Sequence, residues 1–541
     1  MDYIFYNGKV LTGEAKLPLA EAVAVKGSKI AAVGENEWVK SLKKVNTEFI
    51  DMGGRVLLPG FNDSHLHLIG YATNKSKVDL SRCRSVEEVV ERIKTFIKEN
   101  EVPGGEWVYG WGWNHSLFDL KKMPDRQDLD RASTRHRLAV VRTCCHILSA
   151  NTSALEAAGI KKDPPLLDGG SVETDSEGLA TGVLKEQAMQ LVLDLIPPPD
   201  KNTLKKLIEA AGRDYLAVGL TSVQTDDLAA LGTDLLPLLI DAYKELEADE
   251  ALPLRVNLQP LLMSIGELND FIESGYHQFN GSSFFNIGPL KLLSDGSLGG
   301  KTAYMNLPYR GDPENRGMPV LCREELEALV NTAHSKGMQV ATHAIGDAAI
   351  EMVLETYNKA NSLHPRNDPR FRIVHASVVS PRALKMFREL NVIADIQPSF
   401  AITDHAYIDQ NLGAERAAWS YRWKDFIREN IALGGSSDCP VEHFNPLEGI
   451  CAAVTRQDFC GEPAGGWYPD QRLTLGEAVN IYTRGSAYCT FEEELKGTIV
   501  PGKMADLQVL SEDITQVKPA EIKNIVTDLT MVGGKIAYSC K

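Results

Sequence analysis

Through the middle of the chain, short apolar runs alternate with longer amphipathic stretches of helical period. Apolar runs bounded by turn residues are typical of buried β-strands, and their alternation with helices favours parallel βα units. Eight runs fit this pattern, and eight is the number that closes a (β/α)8 barrel. The predicted strands cover residues 57–67, 219–224, 254–258, 287–293, 338–343, 371–375, 392–396 and 431–438.

The two ends of the chain differ from the middle and predict short strands joined by turns. Residues 3–6 precede Asn7-Gly8, which is a strong hairpin signal. We expect one composite β-sandwich and one barrel, with residues 71–218 as an inserted cap over the barrel mouth, because that segment is too long for a single loop. The expected bounds are 1–54 and 497–541 for the sandwich and 55–496 for the barrel.

Composition and charge narrow the class of protein. A chain of 541 residues with 43% hydrophobic residues can bury more than one globular core. The net charge of −16, without a stripe of Lys and Arg, argues against a nucleic-acid partner. Nine scattered cysteines without a Cys-x-x-Cys pair predict reduced thiols, and no apolar run is long enough for a membrane span. We expect a cytoplasmic protein with no membrane partner, and a homodimer is the default expectation.

Polar residues follow several of the predicted strands, at the end of the barrel where chemistry gathers. His65 and His67 lie two positions apart, so their rings point to the same side of a strand. Such a pair also arises by chance, and a histidine after an apolar strand is more often a hydrogen-bonded core residue. Together, however, the strand ends supply a set of donors that predicts a metal site: His65, His67, Lys291, His343, His375 and Asp438.

Five stretches of sequence carry a family resemblance, at residues 59–67, 295–300, 342–347, 435–438 and 497–506. In them the chain resembles the metal-dependent amidohydrolase superfamily and, within it, the YtcJ-like branch that includes N-substituted formamide deformylases. The resemblance implies an α/β fold with a (β/α)8 TIM barrel and a small composite β-domain. It also implies one or two divalent metals, usually zinc, with manganese or iron as alternatives.

The resemblance also implies a role for each donor. It assigns two histidines to each metal, His65 and His67 to the more buried ion and His343 and His375 to its neighbour. Lys291 would bridge the ions as a carbamate formed with carbon dioxide, because burial lowers the pKa of a lysine. If Lys291 is unmodified, the four histidines share a single metal. Lys185 is the rival lysine, although a solvated position in the insertion is its more natural interpretation.

Asp438 is expected to serve as the acid/base group. Metal ions lower the pKa of bound water from about 16 toward 7, so hydroxide becomes available at neutral pH. Asp438 would hold that water, take its proton and pass the proton to the leaving amine. The alternative for Asp438 is a cap of the loop in which it lies. Asp63 is expected to orient one of the histidines.

Three further residues are candidates for contact with a small-molecule substrate. His146 follows an apolar run in the insertion and could hydrogen-bond a substrate carbonyl or approach the metal. Trp113 could wall an apolar pocket, although the core of the insertion is an equally good place for it. Asp295, at the start of one matching stretch, is the third candidate. His405, after the seventh strand, is a weaker one.

One departure from the deaminases of the superfamily bears on the reaction. Many of them follow the fifth-strand histidine with a Glu, whereas His343 is followed by Ala344-Ile345-Gly346-Asp347. Together with Lys291, this favours hydrolysis of an amide C–N bond in a small N-substituted amide, formamide or cyclic amide by metal-activated hydroxide. A deaminase of the same superfamily, or a catalytically silent binding or regulatory protein on this fold, is the alternative. A fold does not identify the amide.

Overall fold

A computed structural model describes residues 1–144, 146–162, 164, 169–279 and 281–540. Its contacts divide the chain into two compact units. Unit 1 consists of Met1–Tyr71 and Lys201–Lys541, and unit 2 of Ala72–Asp200, which lies within the segment expected to be inserted. Among the residues described, none of the helices has the length and apolar character that crossing a bilayer requires.

Strands and helices follow one another along both units. The strands are β1 (Tyr3–Tyr6), β2 (Lys9–Leu11), β3 (Leu19–Ala20), β4 (Ala22–Lys26), β5 (Lys29–Gly34), β6 (Glu48–Asp51), β7 (Val56–Pro59), β8 (Phe61–Leu66), β9 (Val78–Asp79), β10 (Trp107–Trp113), β11 (Arg137–Arg142), β12 (Ile147–Ala150), β13 (Gly170–Thr174), β14 (Ala180–Glu186), β15 (Leu220–Thr225), β16 (Arg255–Leu258), β17 (Phe285–Ile287), β18 (Leu290–Leu293), β19 (Val340–Ala344), β20 (Arg372–His375), β21 (Ile393–Ile396), β22 (Leu433–Gly435), β23 (Leu507–Leu510), β24 (Thr527–Val532) and β25 (Lys535–Ser539). The α-helices are α1 (Asn36–Ser41), α2 (Leu68–Lys75), α3 (Val86–Glu99), α4 (Arg126–Ala132), α5 (Thr152–Ala157), α6 (Gln190–Leu193), α7 (Lys201–Leu216), α8 (Leu228–Leu231), α9 (Leu236–Ala248), α10 (Ile265–Glu273), α11 (Arg323–Ser335), α12 (Asp347–Leu363), α13 (Pro381–Leu390), α14 (Pro398–Leu412), α15 (Ala414–Ala417), α16 (Trp423–Arg428), α17 (Pro446–Thr455), α18 (Leu475–Asn480) and α19 (Ser486–Cys489).

Two sheets of unit 1 are built from the ends of the chain. One has the order β5-β4-β1-β6 and the other the order β25-β24-β23-β7-β2-β3. Alternate side chains of both sheets meet in a single buried apolar cluster, which includes Phe5, Val23, Val10, Leu57 and Leu507. The two ends of the chain therefore stabilise each other through a shared core.

The predicted first strand of the barrel is divided at Gly60. Its first part, β7, pairs with β2 and β23 in the terminal sheet, and its second part, β8, pairs with β15. A Cβ atom on Gly60 would lie 2.2 Å from Cγ2 of Thr221, so only glycine allows this close approach. β7 thus belongs to the terminal sheet, and the boundary expected after residue 54 stays a prediction.

The middle of unit 1 contains two sheets of parallel strands, β17-β16-β15-β8 and β18-β19-β20-β21-β22. Their strands are buried on both faces, which explains why they read as continuous apolar runs. Backbone hydrogen bonds link the sheets at both junctions, from Lys291 N to Pro260 O at 2.9 Å and from Asp438 N to His65 O at 2.9 Å. The chain thus has a mixed α/β fold with parallel strands at its centre.

The strand predicted at residues 287–293 is in fact two strands, β17 and β18, in different sheets. Pro289 lies between them, and a proline has no N–H to donate to a ladder. The amide of Gly288 donates to Leu258 O at 2.7 Å, which completes the pairing of β17 with β16. β18 then pairs with β19 and places Lys291 at its second position.

Unit 2 contains a sheet of order β13-β14-β12-β11-β10-β9 with two apolar clusters of its own. Trp113, at the end of β10, is fully buried in one of these clusters beside Leu129 and Leu138. Its Nε1 donates to Val140 O at 3.0 Å. Trp113 thus has the packing role that the sequence left open as its alternative, and we do not include it in a substrate site.

A buried ion pair lies beneath the carboxyl ends of the parallel strands. The guanidinium of Arg372 on β20 contacts the carboxylate of Asp395 on β21, and both side chains are 0% exposed. Arg372 also donates to Ser64 O at 2.7 Å and to Gln224 Oε1 at 2.7 Å. The pair therefore connects the two parallel sheets through β8, β15, β20 and β21.

Replacing Arg372 by methionine should destabilise unit 1 strongly, because Asp395 would keep a buried charge without its partner. We expect Arg372→Met to lower the free energy of unfolding by about 3–5 kcal/mol, measured by urea unfolding followed by circular dichroism. The matched control is Arg388→Met, which removes an exposed pair with Glu429 and should change the free energy by less than about 1 kcal/mol. Equal effects of the two variants would contradict the importance of the buried pair.

Candidate functional site

The carboxyl ends of β8 and β22 bring His65, His67 and Asp438 together. Nε2 of His65 lies 3.3 Å and Nε2 of His67 lies 3.1 Å from the same carboxylate oxygen, Oδ1 of Asp438. The three side chains offer ligand atoms that all lie within 4.8 Å of one another, and His65 is almost completely buried. The arrangement is the one that a metal ion or a shared proton requires.

The other ring nitrogen of each of these histidines is held by an acceptor. Nδ1 of His67 donates to the carbonyl of Asp226 at 2.7 Å. Nδ1 of His65 lies 2.9 Å from Oε1 of Gln259, whose amide nitrogen in turn donates to Ser64 O. Because each Nδ1 is held by a protein acceptor, each Nε2 faces the site, within reach of Asp438.

His375 follows the same pattern, and His343 reverses it. Nδ1 of His375 lies 2.8 Å from Oε1 of Gln397, whose amide nitrogen donates to Ser436 Oγ. Nε2 of His343, in contrast, donates to Gly296 O at 3.2 Å. In this histidine Nδ1 is therefore the nitrogen with the free lone pair. The centroids of the His343 and His375 rings are 4.5 Å apart. These two histidines thus form a second pair, joined to the first by a distance of 5.9 Å between the His65 and His375 rings.

Lys291 lies on β18, at a junction of the two parallel sheets, with its side chain near these rings. It is 1% exposed, and its Nζ donates to His65 Nε2 at 3.0 Å. Burial lowers the pKa of Lys291, although Asp226 and Asp438 act in the opposite direction. A buried lysine with a lowered pKa is the form that can react as a neutral amine. Lys185 is different, because it is partly exposed on unit 2 and pairs with Glu173 at 3.3 Å.

The charges of the site are set by burial and by the Asp438 carboxylate. Burial would raise the pKa of Asp438, but hydrogen bonds from His65 and His67 outweigh it and hold this pKa well below its usual value. Burial likewise lowers the pKa of His67, and the bond to Asp438 outweighs it, so that the pKa rises to about 9. Burial with His343 as a neighbour keeps the pKa of His375 well below the ordinary value. The imidazole of His375 is therefore neutral, as a metal ligand must be, whereas the contact with Asp438 favours the protonated form of His67.

The backbone conformation at the site is unusual. His375 has a φ of 76° and Asp438 a φ of 58°, both in the left-handed region that residues with a Cβ atom rarely adopt. Such strain persists only where the surrounding structure fixes it, and it concentrates at functional sites. Asp63 provides part of that support, because its carboxylate accepts from His65 N at 3.0 Å and from Ser437 N at 3.0 Å. Asp63 thus contacts the backbone of His65, and its orienting role stays a prediction.

The donor set fits a divalent metal. Four imidazoles converge with one nitrogen free and the other held by a protein acceptor, and an ionised carboxylate lies among them. The backbone carbonyl of Asp226 accepts from His67. The side-chain oxygen Oδ2 of the same residue is buried and has no hydrogen-bond partner among the described residues. Nitrogen and oxygen donors in this combination suit zinc and related transition metals. A cluster of this kind without a cation would leave buried polar atoms unsatisfied.

Comparison with known proteins places the chain in a family. The model of the Amidohydrolase family matches residues 48–538. The chain belongs to the amidohydrolase family. It is similar to YtcJ of Bacillus subtilis (strain 168), a protein named as an amidohydrolase, with 32% identity over 99% of each chain. It is also 26% identical to the N-substituted formamide deformylase of Arthrobacter pascens over 99% of this chain and 98% of that protein.

Among solved structures, the chain is similar to an uncharacterized metal-dependent hydrolase from Pyrococcus furiosus. The TM-score is 0.77 with 28% sequence identity, and the match covers 94% of this chain and 99% of the other. The resemblance to YtcJ-like amidohydrolases and formamide deformylases predicted from the sequence is confirmed. As an amidohydrolase, the chain is a hydrolase that acts on carbon–nitrogen bonds.

The candidate substrate residues of this amidohydrolase lie in three different settings. Asp295 is buried, and its carboxylate accepts from the amides of Tyr304, Ile345 and Gly346 and approaches Nε2 of His343 at 3.4 Å. Those contacts hold the loop around His343, whereas contact with substrate stays a prediction. His146, on unit 2, is largely exposed and lies 2.9 Å from Glu186, and its role also stays a prediction.

Three polar residues of the amidohydrolase site were missed from the sequence. Asp226, Gln259 and Gln397 directly follow β15, β16 and β21. Each holds a histidine through a carbonyl or an amide oxygen. The signal that could have found them is their position, because the carboxyl ends of parallel strands meet at one place.

The Asp438–His67 contact predicts a titration in the metal-free amidohydrolase. Because the hydrogen bond to Asp438 raises the pKa of His67 to about 9, the imidazole should be protonated at neutral pH. In Asp438→Asn burial acts without that carboxylate, so the pKa of His67 should fall. Histidine-labelled protein, titrated by NMR after metal removal, gives both values. A pKa unchanged by Asp438→Asn, with surface variant Asp249→Asn as control, would show that the contact does not control His67.

Proposed function

We propose that this amidohydrolase is a metal-dependent hydrolase that cleaves the amide C–N bond of a small N-substituted amide, formamide or cyclic amide. The single observation that carries the proposal is the convergence of four pre-oriented histidines, Lys291 and Asp438 at the carboxyl ends of parallel strands. The name of the formamide deformylase that the chain resembles supports the choice of substrate class.

The fold that we propose for this chemistry is a closed (β/α)8 barrel. The two parallel sheets are linked on one side by the amide of Lys291, which donates to Pro260 O, and on the other by the amide of Asp438, which donates to His65 O. Hydrogen bonds at both junctions support closure of the sheets into one barrel. In the same proposal the terminal sheets form a composite β-sandwich domain, and unit 2 is an inserted cap domain.

We propose zinc as the metal, with two ions per chain and with manganese or iron as alternatives. His65 and His67 would hold one ion, and His343 and His375 would hold the other. Lys291 would bridge them as a carbamate: its neutral Nζ forms a bond to the carbon of carbon dioxide and releases a proton, which leaves an anionic carboxylate on the nitrogen. The burial of Lys291 beside His65 supports this assignment over the exposed Lys185.

When bound, the metal ions lower the pKa of water and polarise the carbonyl of the amide. The protein supplies the remaining steps. Asp438 is ionised and lies within hydrogen-bonding reach of His67, so it can accept the proton of the attacking water and deliver it to the nitrogen of the leaving amine. Gln259, Gln397 and the carbonyl of Asp226 keep the imidazoles in place while the carbonyl carbon changes geometry.

A screen of N-formyl, N-acyl and cyclic amides with zinc-loaded protein tests the proposed reaction. We expect amine release from at least one class, and Asp438→Asn should lower kcat by about 10²–10⁴-fold because general acid–base catalysis is lost. Metal content and circular dichroism should remain those of the wild type, and Asp249→Asn on the surface is the matched control. Full activity of Asp438→Asn would refute the proton transfer.

Carboxylation of Lys291 can be tested without turnover. Protein loaded with zinc and ¹³C-bicarbonate should show a carbamate carbon resonance in the wild type and in Lys185→Met, and none in Lys291→Met. Metal analysis should show lower zinc content only for Lys291→Met, because only that variant removes a bridging ligand. A resonance that persists in Lys291→Met would assign the carbamate elsewhere. Less than one metal per wild-type chain, unrestored by zinc and bicarbonate, would contradict the hydrolase itself.

A further inference from the structure

A small cavity lies beside the proposed metal centre within unit 1. Its volume is about 160 Å³, and its walls include Ile345, Ser377 and Val441, which follow His343, His375 and Asp438 by two or three positions. The ring of Phe400, also in the wall, stacks on His375 with centroids 5.7 Å apart and an angle of 9° between the rings. The cavity is therefore placed to hold a substituent of a molecule that reacts at the centre.

The charged groups of this cavity all have one sign. Asp404 and Glu442 line it, and its described lining residues include no Arg, Lys or His. Asp404 accepts hydrogen bonds from the hydroxyls of Tyr407 and Tyr421, and neither carboxylate has an ion pair among the described residues. Burial raises the pKa of both carboxyl groups, and the proximity of Asp404 raises that of Glu442 further. The cavity is thus acidic, and none of its described lining residues is a basic side chain that could pair with these carboxylates.

A second observation indicates that the cavity binds a ligand. Ser377 is 0% exposed and lines the cavity, yet its Oγ makes no hydrogen bond of normal geometry, even though Tyr421 is a close neighbour. Its carbonyl is used, because it accepts from Tyr421 N at 2.8 Å. A buried hydroxyl without a partner costs free energy, and sites that bind ligands commonly contain such groups.

We infer that this cavity binds a positively charged alkylammonium group on the substituent of the substrate. The inference rests on the proposed amide hydrolysis and specifies its substrate class. Asp404 and Glu442 supply the opposite charge, and the rings of Phe400 and Tyr407 supply faces that attract a cation. A carboxylate-bearing amide would place like charges together in a partly buried space, so the same cavity excludes acidic substrates.

Binding is tested with choline and with its uncharged carbon isostere, 3,3-dimethylbutan-1-ol, by calorimetry on the zinc-loaded full chain. We expect the dissociation constant of choline to be at least about tenfold lower than that of the isostere. A hydrogen bond or contact to one charged group accounts for a ratio of this size. The ratio should approach one in Glu442→Gln and stay unchanged in Glu415→Gln, which removes an exposed carboxylate elsewhere on unit 1. Equal affinities in the wild type, or a ratio retained in both Glu442→Gln and Asp404→Asn, would overturn the inference.

Turnover separates this inference from the proposed function. The substrates are the formamides of 2-(trimethylammonio)ethylamine, 3,3-dimethylbutylamine and β-alanine, and we expect kcat/KM to fall in that order. Choline selectivity without hydrolysis of these formamides or of any amide in the wider screen would support the cavity and refute the proposed function. Hydrolysis of all three with equal kcat/KM, and without choline selectivity, would support the function and refute the cavity.

Discussion

The carboxylate of Asp395 is the interaction on which the arrangement of the site depends. It contacts Arg372 and accepts from the hydroxyls of Ser64 at 2.5 Å and Ser436 at 3.3 Å. Ser64 is adjacent to His65, Arg372 lies three residues before His375, and Ser436 lies two residues before Asp438. One buried charge thus fixes the relative position of three strands that carry the proposed chemistry. Since charges buried in a protein interior need a complete set of partners, these strands have little freedom to slide.

The imidazoles of the site are oriented before any ligand binds. Each histidine gives one nitrogen to a protein acceptor, which is a carbonyl for His67 and His343 and a glutamine oxygen for His65 and His375. The rings therefore lose their conformational entropy when the chain folds, and not when a cation binds. The positive φ angles of His375 and Asp438 are also fixed when the chain folds. The hydrogen bonds around these residues stabilise a backbone conformation that is unfavourable by itself.

The proposed reaction and the proposed substrate preference have separate physical origins. The reaction depends on residues at the strand ends, where the fold of an amidohydrolase brings nitrogen and oxygen donors together. The preference depends on α14 and on the loop after β22, which supply Asp404, Phe400 and Glu442 to the cavity. Loops and peripheral helices can change in sequence without disturbing the hydrogen bonds and the ion pair of Asp395. Members of this family can therefore share a reaction while they differ in the charge of the molecules they accept.

The sequence by itself determined the alternation of parallel strands and helices in the middle of the chain, and it proposed the donor residues at the strand ends. This was possible because strands buried on both faces read as continuous apolar runs, and because a polar residue at the end of such a run can only face the mouth of the sheet. Only the tertiary structure decided the transfer of β7 to the terminal sheet, the break at Pro289, the burial of Trp113 and the acceptors Gln259 and Gln397. Each of these depends on which side chain of a distant segment comes near. Local periodicity contains no information about such neighbours, which packing alone selects.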